Sequence, residues 1–312
     1  MGVGFAGDAD KRCGRTCNQQ AQALIGPQRA MLAYLEANEN NVLFAAVVGT
    51  FIVSVLWEAV RPRRRVNETS VARWGHNITL SLVNQVLVYW LSVAATLAVA
   101  WWAARTGTGL LTRFDTGFGV ALVTTALAFE LLAYLLHRLL HRVRWLWRIH
   151  AVHHSDTELD FTTTYRNHPL EVVLVALATL PVTALLGPPV AVVVAYQMTR
   201  ASVNILAHSN IYLPESLDRW LRYLIVTPDF HRCHHSDDRQ FTNSNYGAFL
   251  PLFDYLFGTA TRKPFAAYPT MSIGLEYFRE TRDSRFDKLL LMPFRRVPLE
   301  TARPETLVHS AG

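Results

Sequence analysis

Three short segments carry histidine at spacings suited to metal capture. His137-Arg-Leu-Leu-His141 is an H-x3-H pair, His150-Ala-Val-His153-His154 is an H-x2-H-H triplet, and His231-Arg-Cys-His234-His235 is a second such triplet. On a helix, positions i, i+3 and i+4 share a face, so each segment aims its imidazoles one way. Ten of the 12 histidines lie between His137 and His235. His168 and His208 stand singly between the clusters, while His76 and His309 read as isolated polar residues. Neutral imidazole is the usual nitrogen ligand. Packed without a metal, eight such rings would crowd partly charged groups and gain nothing. A structural zinc takes four ligands, usually including cysteine, so eight to ten histidines suit two ions sharing a site. Imidazole sites suit iron, zinc, copper or nickel, and ligand type alone does not choose between them. The chain has no H-E-x-x-H, so a zincin peptidase is unsupported.

The elements that must position these rings are apolar. Of the 312 residues 51% are hydrophobic and only 17% are charged, which excludes disorder as the main state. Residues 40–57, 74–104 and 172–199 contain no Asp, Glu, Lys or Arg. Runs of that length fit a hydrocarbon core about 30 Å thick. Spans are expected at about Val42–Val60, within Ile78–Ala104, and from Gly117 to Leu136. Residues 170–207 form a further apolar stretch that Gly187-Pro188-Pro189 breaks into two helices, because proline removes a backbone donor. The fold class is therefore an all-α integral-membrane bundle of four or five spanning or re-entrant helices, with a cytoplasmic His-rich helical cap over a di-metal site.

The net charge of +6 does not indicate a nucleic-acid partner. Arginines cluster at Arg61–Arg65, Arg138–Arg148 and Arg219–Arg239, beside the ends of apolar runs, as cytoplasmic flanks require. With those flanks inside, every histidine cluster falls at one membrane face. Four segments follow: a polar N-terminal stretch 1–40, spanning helices 41–116, the metal domain 117–260 and a cytoplasmic tail 261–312. That tail's apolar island Leu289–Phe294 would cover the site or lie on the membrane. Cys13, Cys17 and Cys233 read as ordinary thiols, and no signal peptide or myristoylation signal is evident.

The order H-x3-H, H-x2-H-H and a distal H-x2-H-H among apolar helices resembles the fatty acid hydroxylase superfamily, closest to its bacterial sterol desaturase branch. Asn167-His168-Pro169-Leu170-Glu171, His208-Ser209-Asn210, Thr227-Pro228-Asp229, Asn245-Tyr246-Gly247 and Asp254-Tyr255-Leu256-Phe257-Gly258-Thr259 also fit, so the likeness covers about residues 120–260. It implies iron ligands at His137, His141, His150, His153, His154, His231, His234 and His235, a ninth at His208 and a tenth at His168. Such sequences commonly place Asp seven residues before the first histidine; here it is Glu130. An acid at membrane depth is a functional candidate, expected to support a liganding histidine, with a helix–helix hydrogen bond as the duller alternative. Asp156 and Asp237 each follow a triplet (His-His-Ser-Asp). Each would either fix an imidazole tautomer or simply end a helix.

The resemblance implies a membrane-bound oxidoreductase with two iron ions and O2 as co-substrate. It would hydroxylate or desaturate an apolar lipid, be it a sterol, fatty acyl chain, alkyl ether or carotenoid, at the cytoplasmic face of a bacterial inner membrane. The sequence has no dinucleotide fingerprint, haem motif or iron–sulfur cysteine set, so electrons must come from a separate donor protein or a pterin. Two rival readings fit less well. A metal-transport protein would place its ligands at mid-membrane depth, and a bis-histidine haem protein would not use adjacent His-His doublets.

Overall fold

The computed structural model describes residues 38–65, 70–114 and 116–296. The expectations placed on Cys13, Cys17, His309, most of segment 1–40 and the end of the tail lie outside these residues. Contacts divide the chain into Met1–Ala45, where only the opening of the first helix is described, and Ala46–Gly312, which holds all the other elements.

Among the described residues the chain is helical and has no strand, only two isolated bridges, Pro62 to Ile211 and Ser236 to Ile273. The α-helices are α1 Glu39–Val60, α2 Ser70–Leu87, α3 Ala95–Thr106, α4 Leu110–Arg113, α5 Phe118–Arg142, α6 Arg144–His154, α7 Pro169–Leu186, α8 Val190–His208, α9 Glu215–Leu221, α10 Pro228–His234, α11 Arg239–Thr242, α12 Leu252–Leu256 and α13 Phe286–Leu291. A π-helical segment, Val88–Ala94, joins α2 to α3. Four stretches are long and apolar enough to cross a membrane: Val71–Arg113, Phe118–Arg142, Pro169–Leu186 and Val190–His208. In α1 the apolar part, Ala45–Val60, is shorter. Leu82, Trp90, Val120, Val123, Leu177 and Leu185 project outward from these helices. Such a surface is stable in lipid and costly in water.

The hairpin of α7 and α8 forms where the sequence reading expects it, and the reason is local. His168 caps α7, its Nδ1 accepting the N–H of Leu170 at 3.2 Å, and Pro169 fills the first helical position, where no donor is needed. At the other end Gly187 adopts a left-handed conformation (φ 57°) and donates to the Thr183 carbonyl, after which two prolines stop the helix. A side chain at Gly187 or at Gly109 would collide with the other's backbone, so the hairpin tip packs directly on the loop before α4.

This hairpin sets the polarity of the bundle. Its tip lies at one end, while Glu171 in the first turn of α7 and His208 in the last turn of α8 lie at the other. α5 runs the same way as α8 and carries His137 and His141 in its final turns. α2 begins at that end too. Its Arg73, Asn77 and Asn84 fall on one face and hold the loop after α6: Arg73 pairs with Asp156 and Asp160, Asn77 donates to Asp156 and Thr162, and Asn84 donates to the carbonyls of Tyr165 and Asn167. The tail is part of the same fold, since Leu289 and Met292 of the apolar island pack with Leu80 and Val152 in a buried cluster.

Candidate metal centre

Five segments deliver histidines to the polar end of the bundle: the end of α5, α6, the end of α8, α10 and the residue after it. Nine rings gather in two groups. His137, His141, His150, His154 and His234 form one; His153, His208, His231 and His235 form the other; within each group the ligand atoms lie within 4.8 Å of one another. The H-x2-H-H triplets divide between the groups. In α6, His150 and His154 turn one way and His153 the other; in α10 and the residue after it, His234 turns away from His231 and His235. His150 and His154 are four apart and share a face, whereas His153 follows at a different angle.

Hydrogen bonds fix how the rings present themselves. His137 donates from Nδ1 to the Tyr246 carbonyl at 2.7 Å, His234 to the Ser244 carbonyl at 2.6 Å and His208 to the Asn204 carbonyl at 2.8 Å. The Nδ1 of His150 faces the Glu171 carboxylate at 3.0 Å. A carbonyl oxygen accepts only, so these rings carry hydrogen on Nδ1 and a bare lone pair on Nε2. Two of those Nε2 atoms, of His137 and His150, face one another at 3.0 Å, and the Nε2 of His208 stands 2.9 Å from the Nε2 of His231. Two lone pairs at that distance repel unless a cation lies between them. Nitrogens bound to one ion at about 2.0–2.1 Å stand roughly 3.0–3.4 Å apart. His141 Nε2 and His234 Nε2 are buried without a hydrogen-bond partner, as are the Nδ1 atoms of His153, His154, His231 and His235. The donor set fits one metal ion per group.

Charge state agrees. Burial and the neighbouring imidazoles push His153, His154, His231 and His235 well below the ordinary histidine pKa, and burial lowers His234 to about 3. The rings are neutral, the form that binds metal.

Three expectations from sequence need correction. His168 joins neither group: its Nδ1 caps α7 and its Nε2 meets the Leu290 carbonyl at 3.2 Å, so both nitrogens are engaged elsewhere. Glu130 supports no histidine. Its Oε1 accepts from the Tyr196 hydroxyl at 2.6 Å and stands 3.4 Å from Arg200 Nε, and its Oε2 accepts the backbone N–H groups of Phe249 and Leu250 at 3.0 and 3.1 Å. Asp156 and Asp237 accept no imidazole N–H either. Asp156 Oδ2 takes Arg73, Asn77 and Thr163 at 2.7, 2.9 and 2.8 Å, while Asp237 sits partly exposed, 3.6 Å from Arg279. Burial raises the pKa of Asp156, but Arg73, Arg166 and the hydrogen bonds outweigh it and hold the group below the usual carboxylate value.

The carboxylate that does meet a ring is Glu171, to which sequence reasoning gave no role. Its signal was available: it is the one acid at the start of a long apolar helix, two residues after a proline, within Asn167-His168-Pro169-Leu170-Glu171. The carbonyls of Tyr246 and Ser244 had no such signal, because any residue type supplies one.

The described residues thus form an all-helical bundle with membrane-length apolar helices and two convergent histidine groups of a kind that could hold metal ions. Residues 122–259 match the fatty acid hydroxylase family. It is 34% identical over 203 residues to the very-long-chain aldehyde decarbonylase GL1-6 of Oryza sativa subsp. indica, covering 61% of this chain and 28% of that protein. It is 36% identical over 132 residues to the ornithine lipid hydroxylase OlsE of Rhizobium tropici (42% and 39%). To the methylsterol monooxygenase 2-2 of Arabidopsis thaliana it is 34% identical over 126 residues (39% and 46%). The chain thus spans less than half the length of each of these relatives. No solved structure matches it.

Proposed function

We propose that the chain is a membrane-bound, O2-dependent di-iron oxidoreductase that hydroxylates or desaturates an apolar lipid. The observation that carries this reading is the pair of histidine groups, with bare Nε2 atoms turned inward at one end of an apolar bundle. His137, His141, His150, His154 and His234 would hold one iron, and His153, His208, His231 and His235 the other. Bound there, iron supplies the O2 chemistry that breaks an unactivated C–H bond.

The protein's own contribution is orientation and exclusion of water. The carbonyls of Tyr246, Ser244 and Asn204 and the Glu171 carboxylate hold four rings in one tautomer, and such partners tune both ligand basicity and geometry. Tyr246 packs against His137, His141 and His234, and Trp147 against His141 and His154, which shields these rings from water. A lipid chain would lie along the apolar helices with its reacting carbon at their histidine-bearing end. The relatives' names point to different lipids, an ornithine lipid, a methylsterol and a very-long-chain aldehyde. What they share is a long apolar body, which suits a substrate drawn from the bilayer. Electrons would come from a separate donor protein or a pterin. The arginine flanks support a site on the cytoplasmic face of a bacterial inner membrane.

The test is incubation of iron-loaded protein in nanodiscs with membrane lipid extract, a reductant and 18O2. A lipid gaining one 18O, or losing two hydrogens, supports the proposal. Unchanged lipids across sterol, acyl and ornithine-lipid substrates, with iron bound and reduced, would contradict it.

A further inference from the structure

The segment Tyr246–Phe257 lies after the second triplet, where the charge pattern would leave it on the aqueous side. Its packing places it elsewhere. Glu130 is the middle residue of the 25 in α5, about 18 Å from either end of the helix and about 10 Å below the level of His137. The free N–H groups of Phe249 and Leu250 reach Glu130 at that depth, and the Phe249 side chain packs against the bundle core that includes Phe129 and Tyr196. Phe257 stacks on Tyr134 of α5 at 5.4 Å. Irregular backbone is tolerated at membrane depth only where the protein satisfies its polar groups, and here it does. Glu130 takes two N–H groups. Asp254, itself buried, takes those of Tyr246 and Gly247, and the Phe249 carbonyl accepts from Val226.

The outer face of this segment is apolar and exposed among the described residues. Leu252, Leu256 and Phe257 project from α12 and its end, and Trp220, Tyr223 and Leu224 project from α9 and the turn after it. Tyr223 stacks on Tyr255 at 4.9 Å, so the two elements present one surface. Asp254 is the sole charged residue in 246–257 and points inward, while Arg219 sits beside Trp220 at the patch edge. Aromatic side chains with a basic rim are what the boundary between headgroups and acyl chains selects.

We propose that α9, its following turn and segment 246–257 form a non-spanning membrane foot, seated in the lipid boundary beside α5. The inference rests on the membrane-spanning reading of α5. It places the backbone that orients His137 at the lipid interface, so a lipid approaching the centre would meet the foot first.

The test is spin labelling of Leu224→Cys and Leu256→Cys in nanodiscs, in a background lacking the three native cysteines. Val123→Cys on the outer face of α5 serves as lipid reference and Arg282→Cys as water reference. Power saturation with O2 and with nickel-EDDA reads the surroundings. Both foot labels should favour O2, as Val123 does, and Arg282 should favour nickel. Foot labels behaving like Arg282, or shielded from both reagents as beneath another polypeptide, with Val123 still lipid-exposed, would overturn the foot alone. Nickel access at Val123 would overturn the spanning reading and the foot with it. Should the labelled variants fail to fold, quenching by bromine on phospholipid acyl chains that falls in Trp220→Phe supports the foot. Equal quenching in both proteins rejects it.

Discussion

Glu171 and His150 meet at 3.0 Å, carboxylate to Nδ1, with the acid in the first turn of one membrane-length helix and the ring on a separate helix at the polar end of the bundle. Both side chains are buried, and the other oxygen of Glu171 has no hydrogen-bond partner. The contact fixes the ring so that its Nε2 turns toward His137 and His154. Among the described residues it is the single acidic support in a set otherwise held by the Asn243 amide and by backbone oxygens. Glu171→Gln should therefore weaken metal binding in the five-histidine group by about 10–100-fold and leave the four-histidine group unchanged. Chelator competition on purified protein reads this as one ion becoming labile while the other is retained.

His168→Ala should behave in the opposite sense to a ligand substitution. Its role is to cap α7, so the variant should keep its full metal content and lose about 1 kcal/mol of stability. Metal analysis beside thermal unfolding separates the two roles, and loss of an ion in His168→Ala would return this residue to the ligand set.

Glu130→Ala removes the acceptor for two backbone N–H groups and the Tyr196 hydroxyl. Each hydrogen bond to a charged group contributes about 1.5–3 kcal/mol, so the variant should unfold at a clearly lower temperature. The fraction that remains folded should still bind metal, because no histidine depends on this acid. Equal loss of metal and of stability would show that the centre depends on it after all.

What the sequence disclosed and what it hid divide along a physical line. The histidine clusters were legible because helical spacing is local and i and i+4 share a face whatever the rest of the chain does, but the spacing did not show that each triplet would split between two groups. The apolar helices and the break at Gly187-Pro188-Pro189 were legible for the same reason. The partners of the acids were not. Asp156 meets Arg73 and Asn77, which lie on a helix far earlier in the chain, and Glu130 meets the peptide groups of Phe249 and Leu250. A backbone N–H leaves no trace in residue type, so the pattern around Glu130 could suggest an important acid but not its partner. His168 is the instructive case. The family resemblance placed it among the ligands, yet a histidine directly before a proline at a helix start is placed to cap, and that signal was there to read.

Asp156 provides a pH test. Its folded pKa is depressed, so its contribution to stability is complete above the unfolded value near about 3.9 and is lost as pH falls through the folded value. Asp156→Asn leaves Arg73 and Arg166 buried with less compensation and should cost about 3–5 kcal/mol at neutral pH. Melting temperatures of both proteins should converge as the pH drops below about 4. A constant gap down to pH 3 would contradict this.

The proposed centre holds two ions, one in each histidine group. It is tested most directly by counting iron in detergent-purified protein beside His153→Ala and His234→Ala, one from each group. About two irons are expected in the parent and about one in each variant, with the spin coupling of the pair abolished in both. Correctly folded parent protein that takes up no metal on reconstitution, or variants that keep both ions, would contradict it.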